Sequence, residues 1–144
     1  MFKNNLARRA ATLTLAAAAL TGAGVFTASN AFAVYAPKDG YLDAEEFGLY
    51  YSPNQQGCVF DLYSYDSDFS DDYFKPFVGS CNGQGQSVND NTASYYNRDT
   101  LTWWVYTDAN AGGGEGSLPP GHIGNASTAF RNKISSAFHY HPQR

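Results

Sequence analysis

Three histidines are the first residues whose type and spacing could support chemistry. His139 and His141 flank Tyr140, and residues two positions apart face the same side of a strand. Imidazole nitrogens on one face can bind zinc, but no acidic or thiolate residue accompanies this pair at a recognisable spacing. His122 stands in a Pro-Pro-Gly-His turn, and no serine lies in a nucleophile-elbow sequence. We therefore predict exposed histidines and a protein that is not an enzyme.

A cluster of carboxylates is the next candidate for chemistry. Four aspartates lie within residues 63–73: Asp66, Asp68, Asp71 and Asp72. The cluster is compatible with a solvated loop or with a calcium-binding loop. An EF-hand loop needs glycine at its sixth position and a closing glutamate. Asp71 occupies the sixth position and the glutamate is absent, so the segment is not an EF-hand.

The first 33 residues have the three parts of a secretory signal peptide. Basic residues come first: Lys3, Arg8 and Arg9. An apolar, alanine-rich run follows over residues 10–26, and small residues at Ala31 and Ala33 suit cleavage before Val34. A lasting membrane anchor is the alternative, but the run is shorter than the roughly 20 residues that span a bilayer. We predict export and no membrane association after signal removal.

Cleavage makes the remaining chain, residues 34–144, strongly acidic. The signal removes three of the nine basic residues and none of the thirteen acidic ones, so the net charge becomes 6 − 13 = −7. Nucleic acids and anionic lipids are bound by clustered Lys and Arg. Binding to nucleic acid is therefore excluded as a function, and the length predicts one domain.

The chain has two cysteines, Cys58 and Cys81. In an exported protein they most simply pair, and closing a loop of this size should stabilise the fold by about 3 kcal/mol. The alternative is a reactive cysteine nucleophile, but no histidine partner is obvious, and a free thiol does not suit an oxidising compartment. We predict the disulfide.

Short strands must position these residues. After the signal, glycine, proline, Asn, Asp and aromatic residues are frequent and helix signals are almost absent. Strands are predicted at residues 47–51, 58–62 and 101–106, which indicates an all-β antiparallel sandwich or barrel. Trp103 and Trp104 must face opposite sides of the third strand. We expect Trp103 in the core and Trp104 pointing outward.

Two short patterns occur twice in the chain. Residues 49–57 align with residues 105–113: both contain an aromatic residue, Asn four positions later and Gly three positions after that. This pattern suits a folded hairpin. Residues 90–95 align with residues 131–136 through shared Asn and Ser, which suit a polar turn. Two such units would pair as interlocking Greek keys around one core.

With these patterns the chain resembles the βγ-crystallin fold, and within it the bacterial secreted peptidase-inhibitor family related to metalloproteinase inhibitors. The resemblance covers residues 46–140. Four marks carry it, in order: residues 50–57, 85–94, 106–113 and 132–135. It implies a βγ-crystallin-like two-motif Greek-key sandwich, export, and the inhibition of proteases.

The resemblance also implies a candidate calcium site in the two polar turns. Its residues are Asp90, Asn91, Ser94, Asn132 and Ser135. In calcium-binding relatives the pattern opens on two acid or amide residues and closes on two hydroxyl residues. Here Tyr95 replaces the last hydroxyl of the first turn, and Arg131 replaces the opening residue of the second. A cation would lose a ligand or meet a positive charge, so we expect hydrogen-bonded turns and no cofactor.

The function that the resemblance implies is a secreted inhibitor of an extracellular protease, specifically a metalloprotease, and we expect it to act as a monomer. Such an inhibitor needs a rigid exposed segment, because a preordered loop loses little entropy on docking. Residues 58–81 and the glycine-rich residues 112–116 are both candidates for the contact.

The alternative is a non-catalytic cell-wall or carbohydrate-binding module, or a calcium-stabilised structural one. The carbohydrate interpretation depends on Trp104 and nearby tyrosines forming an exposed flat patch, and it weakens if Trp104 is covered.

Overall fold

The computed structural model describes residues 36–143. The predicted signal peptide and the cleavage point between Ala33 and Val34 lie outside the described residues. The described elements are β1 (Phe47–Ser52), β2 (Gln56–Leu62), a 3-10 helix (Phe69–Asp71), β3 (Ser94–Asn97), β4 (Trp103–Asp108), β5 (Gly112–Leu118), β6 (Ile123–Asn125) and β7 (Ser136–Phe138). The three predicted strands are confirmed as β1, β2 and β4, although β4 begins two residues later than expected. No helix in this part of the chain is long and apolar enough to cross a membrane.

The strands form two antiparallel sheets that exchange elements. One sheet has the order β2-β1-β3-β6 and the other the order β5-β4-β7. β6 follows β5 in the chain but pairs with β3 in the opposite sheet. In return, Asp66 of the first half bridges to Ala137 of β7. Each half therefore contributes one element to the other's sheet, which confirms the predicted two-motif Greek-key sandwich.

The core lies between the inner faces of the sheets. Alternate residues of β1 point inward, and Phe47 and Leu49 are fully buried. The Trp103 ring of β4 stacks on the Phe47 ring, with 4.9 Å between centroids and 19° between planes. Trp103 is 0% exposed, which confirms its predicted place in the core. Equivalent positions of the two halves thus meet face to face.

The predicted hairpin repeat is confirmed in the backbone. Asn54 of the β1–β2 turn and Asn110 of the β4–β5 turn both have positive φ, at 59° and 57°. Gly57 and Gly113 follow with φ of 77° and 70°, a region that side chains disfavour. The register shifts at the same point in both hairpins. The shared glycine therefore reflects a shared backbone conformation.

A serine closes each hairpin from a neighbouring strand. The Ser94 hydroxyl donates to the backbone oxygen of Ser52 (2.6 Å) and accepts from the backbone N–H of Gln55 (2.9 Å). Ser136 donates in the same way to the backbone oxygen of Asp108 (2.8 Å) and accepts from an amide of the β4–β5 turn. The two serines are therefore structurally equivalent.

The polar turns before these serines are related by the same symmetry. The backbone N–H of Asp90 donates to the oxygen of Ile134 (3.2 Å), and that of Asn132 donates to the oxygen of Thr92 (2.9 Å). Asp90 and Asn132 also share positive φ, at 61° and 56°. The sequence alignment paired Asp90 with Arg131 and is wrong by one residue, because adjacent serines in the second half satisfy the same pattern.

Candidate functional site: the 75–80 loop

The connection between β2 and β3, residues 63–93, is held by a disulfide. Cys58 of β2 is bonded to Cys81, with 5.1 Å between the Cα atoms. The backbone N–H of Cys58 also donates to the oxygen of Asn82 (2.9 Å), and the Asn82 amide donates to the Ser52 hydroxyl (2.8 Å). The predicted disulfide is therefore formed, and it fixes the middle of the connection to the first hairpin.

Residues 75–80 form an exposed loop between two fixed points, here called the 75–80 loop. On one side Phe74 is 1% exposed, and its backbone N–H and oxygen both bond to the segment at Gln86 and Gly85. On the other side the chain enters Cys81. Because both ends are held by buried or covalent contacts, the backbone at the ends of the loop has little freedom to move.

The tip of this loop presents apolar side chains to solvent. Phe77 is 44% exposed and Val78 is 68% exposed, the largest value among the large hydrophobic residues of the described chain. Large apolar side chains displayed together at an anchored loop are typical of binding surfaces rather than of solvated turns. The 75–80 loop is therefore anchored at both ends and carries an exposed apolar tip.

The glycine-rich residues 112–116 are the other candidate for the contact with a protease. They lie in β5, which pairs along its length with β4. Their one large side chain, Glu115, contacts His141 at 3.2 Å. Paired backbone and absent side chains leave little for a partner to recognise, so this candidate contact is not favoured.

The histidines do not form a common site. His139 packs edge-on against Trp103 with 5.5 Å between ring centroids, whereas His141 packs edge-on against Trp104 with 5.3 Å. His122 stacks on the Tyr95 ring in the other sheet. Among residues 36–143 no group of three His, Cys, Asp or Glu side chains is placed to hold a metal ion.

Trp104 is half-buried and covered in part by the His141 ring. It also packs against the small buried cluster that includes Tyr106 and Phe138. A carbohydrate platform requires an open flat ring, and this contact occupies part of the Trp104 surface. The carbohydrate-binding alternative is therefore weakened, because Trp104 is not an open ring.

The Asp-rich segment forms salt bridges with a lysine of the same chain. The Lys38 ammonium contacts the carboxylates of Asp66 and Asp72, at 2.5 and 2.8 Å. Burial lowers the pKa of Lys38, but the two carboxylates outweigh burial and raise it. Burial raises the pKa of Asp66, yet Lys38, together with hydrogen bonds from Asp68 and Asp72, outweighs burial and lowers it. Asp68 caps the 3-10 helix by accepting from the backbone N–H of Ser70 (2.9 Å), so these aspartates hold the connection together.

Among the candidate calcium residues, the side chains of Asp90, Asn91, Ser94 and Ser135 are bonded to protein groups, and Asn132 is bonded through its backbone N–H. The Asp90 carboxylate accepts from the Asn89 amide (3.0 Å) and from the Ser135 hydroxyl (3.4 Å). The Asn91 amide donates to the backbone oxygens of Ser87 and Asn89. The hydroxyl of Ser94 is committed to the first hairpin, as described above. The turn residues therefore act as hydrogen-bonding partners in this arrangement.

Two features are not singled out in the sequence analysis: the buried acids Glu46 and Asp61, and the apolar tip of the 75–80 loop. Burial raises the pKa of Glu46 to about 7 and that of Asp61 to about 6, and both side chains are 0% exposed. Alternation along β2 puts Asp61 on the face opposite the core, and nothing in the local pattern indicates that another segment covers it. Phe77 and Val78 have a signal in the sequence, since they form an apolar pair three residues before Cys81.

Comparison with known proteins agrees with the architecture. A βγ-crystallin domain described in connection with the evolution of the eye lens fold is 19% identical, with a TM-score of 0.55, and the match covers 68% of this chain and 88% of that one. A βγ-crystallin from an archaeon is 26% identical over 67% of this chain and 98% of that one, with a TM-score of 0.49. One from Ciona intestinalis is 20% identical over 65% and 96%, also with a TM-score of 0.49. The first of these matches shows the βγ-crystallin fold.

No curated protein matches the sequence. Residues 43–118, more than half of the chain, match peptidase inhibitor family I36. The match contains both hairpins, the disulfide and the 75–80 loop. A protein of this family inhibits peptidases and is not an enzyme, and this chain belongs to peptidase inhibitor family I36.

Proposed function

We propose that this protein is a secreted inhibitor that binds an extracellular metalloprotease by inserting the 75–80 loop into the substrate cleft. The observation that carries the proposal is the exposed pair Phe77 and Val78 on a loop fixed at both ends. A loop that already has its bound shape loses little conformational entropy when it docks. A protease cleft that binds peptides is the natural receptor for such a loop.

The side chains of the loop favour a protease with an apolar specificity pocket. Burying one exposed Phe or Val side chain contributes about 1.5–3 kcal/mol. Lys75 is the one basic residue of the loop, and Pro76 follows it directly, so a pocket for basic residues would meet a restricted backbone. The choice of a metalloprotease rests on the family resemblance given in the sequence analysis.

Export and a monomeric state complete the proposal. A disulfide suits an oxidising compartment, and the N-terminal residues have the pattern of a signal peptide ending at Ala33. One inhibitor would bind one protease, because a single copy of the chain presents the loop. Calcium has no place in this mechanism, since every step depends on the shape and apolar surface of the loop.

The test uses the protein exported from cells that express the full chain. Its mass should correspond to cleavage before Val34. Inhibition of a panel of extracellular metalloproteases and serine proteases is then measured by titration. We expect stoichiometric inhibition of a metalloprotease with an apolar pocket, and none of the serine proteases. Inhibition of serine proteases alone would contradict the proposed class.

A matched pair of variants tests the loop. Val78→Asp should weaken inhibition by about 30-fold or more, since a charge replaces an apolar anchor and about 2 kcal/mol corresponds to that factor. Ile123→Asp is the control, because Ile123 is 54% exposed on β6, outside the loop. If the Ile123 variant loses inhibition and the Val78 variant does not, the 75–80 loop is not the docking segment.

A further inference from the structure

A segment that precedes the family match lies across the outer face of the β1–β2 hairpin. It consists of residues 37–42 and is called the strap below. Leu42, which is 7% exposed, packs onto this face over Gly48 of β1 and Val59 of β2. The strap therefore buries a sheet surface that alternation would otherwise leave to solvent.

A buried carboxylate fixes the strap. The Asp61 side chain accepts from the backbone N–H groups of Asp39 (3.2 Å) and Gly40 (2.8 Å). The backbone N–H of Lys38 donates to the backbone oxygen of Asp61 at 2.8 Å. At the other end, the Arg98 guanidinium donates to the backbone oxygen of Leu42 at 2.9 Å. Three consecutive strap residues are thus bound to one residue of β2, so the strap has a defined path.

The strap touches the 75–80 loop directly. Gly40 has φ of 87°, and a Cβ at this position would meet the backbone oxygen of Lys75 and would lie 2.8 Å from the backbone nitrogen of Phe77. The next residue, Tyr41, places its ring 5.4 Å from the Phe77 ring, at 51° to it. A glycine is required because the two backbones approach so closely. The strap is the surface against which the loop backbone and the Phe77 ring rest.

The strap also holds the segment from which the loop emerges. Lys38 reaches both Asp66 and Asp72, and Asp72 lies three residues before Lys75. The backbone oxygen of Asp72 accepts from Val88, on the return path of the connection. The connection is therefore fixed on one side by the disulfide at Cys81 and on the other by the strap.

We propose that the strap is a positioning element of the inhibitor, in which Gly40 and Tyr41 hold Phe77 in its docking position. This inference rests on the proposed function of the 75–80 loop. The disulfide fixes only the end of the loop at Cys81, whereas the strap supports its tip. Without the strap contact, the loop would have to be ordered by the protease, and affinity would fall. The residues matched to the family begin at 43, so the support comes from outside that match.

Two substitutions test the support from different directions. Tyr41→Ala removes the ring that contacts Phe77, and Tyr41→Phe keeps it as the matched control. Gly40→Ala places a methyl group in the space of the Lys75–Phe77 backbone. All three proteins are compared with the wild type, as exported, for the inhibition constant, the melting temperature and hydrogen exchange of peptides covering residues 75–80.

We expect Tyr41→Ala to raise the inhibition constant about 10-fold and to speed exchange in residues 75–80. Exchange in β1 and β4, and the melting temperature, should stay close to the wild type, since Tyr41 is 37% exposed and lies outside the core. Tyr41→Phe should behave as the wild type. Gly40→Ala should weaken inhibition at least as much, because its methyl group displaces backbone rather than a side chain.

The outcomes separate this inference from the proposed function. A wild type that inhibits no protease would overturn the proposed function and the inference with it. A wild type that inhibits, together with a Tyr41→Ala variant that inhibits equally well, would overturn the inference alone. Unchanged exchange in residues 75–80 of both variants, or faster exchange throughout the domain, would also overturn it.

Discussion

The two halves of the sandwich share their hairpins but differ in the connection that follows. In the second half, residues 119–135 contain β6, which pairs with three residues of β3. In the first half, the corresponding element is reduced to the single bridge between Asp66 and Ala137, and the longer connection over residues 63–93 continues into the 75–80 loop. The first half contributes the shorter exchanged element, a single bridge, and it is also the half that carries the exposed apolar loop.

This difference shows what the fold must keep and what it can vary. Ser94 and Ser136 close equivalent hairpins with the same pair of hydrogen bonds, and Phe47 and Trp103 occupy equivalent inward positions. These features stabilise the shared core. The first connection instead relies on a disulfide and on the strap, which are local to it. The recognition surface is therefore built where the symmetry is broken.

The largest effect should come from removing the disulfide, which only the first half of the described chain contains. Replacing Cys58 and Cys81 by Ser should lower the free energy of unfolding by about 3 kcal/mol, since the unfolded chain regains the entropy of an open loop. Thermal unfolding measures the loss. Hydrogen exchange should accelerate in residues 63–93 before it does in β4 and β5.

A reducing agent provides the control for this experiment. It should lower the free energy of unfolding of the wild type and leave that of the double variant unchanged. Equal acceleration of exchange in the β4–β5 hairpin would contradict the view that the disulfide acts locally on the first half.

The pH dependence of the free energy of unfolding should also arise in the first half. Glu46 and Asp61 have pKa values raised by burial to about 7 and about 6. A raised pKa means that the folded state holds the proton more tightly, so this contribution is complete below the unfolded pKa and is lost as pH rises through the folded one. We expect the free energy of unfolding to fall by on the order of 2 kcal/mol between pH 5 and pH 8.

Glu46→Gln identifies the source of this pH dependence. The amide has no proton to lose, so denaturant unfolding of this variant should depend less on pH over the same window. Lys38, Asp39, Asp43 and Arg98 are the charged groups of the surrounding segments, and none of them is changed in the variant. If the free energy of unfolding of the wild type rises from pH 5 to pH 8, the prediction is wrong.

The hairpin serines allow a matched test of the symmetry itself. Ser94→Ala and Ser136→Ala each remove one donated and one accepted hydrogen bond inside a buried corner. Each should cost about 1–2 kcal/mol, and the two losses in thermal stability should agree within about 0.5 kcal/mol. Ser135→Ala is a useful comparison, because Ser135 bonds to Thr107 rather than closing a turn. A much larger loss for one hairpin serine would show that the corners are not equivalent.

Much of the sandwich is predictable from local pattern, because each strand buries alternate residues and each hairpin repeats an Asn and a Gly at fixed spacing. The pairing of Cys58 with Cys81 follows from there being two cysteines. The second polar turn was misaligned because Ser135 and Ser136 are adjacent, and only the backbone groups of the β4–β5 hairpin select Ser136. The strap could not be predicted, since its contacts with β2 and with the 75–80 loop join residues far apart in sequence.

The corrected alignment leads to the smallest expected effect, which concerns calcium. With Asn132 equivalent to Asp90, the second turn has Lys133 where the first has Asn91, so a cation there would meet a positive charge. The hydroxyls of Ser94 and Ser136 already donate to backbone oxygens of the β1–β2 and β4–β5 hairpins. We therefore expect 5 mM calcium to shift the melting temperature by less than about 2 °C, because a ligand below its dissociation constant adds little stability. Magnesium at the same concentration is the control, and inhibition should be unaffected by either ion. A shift of more than about 4 °C with calcium alone would mean that these side chains release their protein partners to bind the ion.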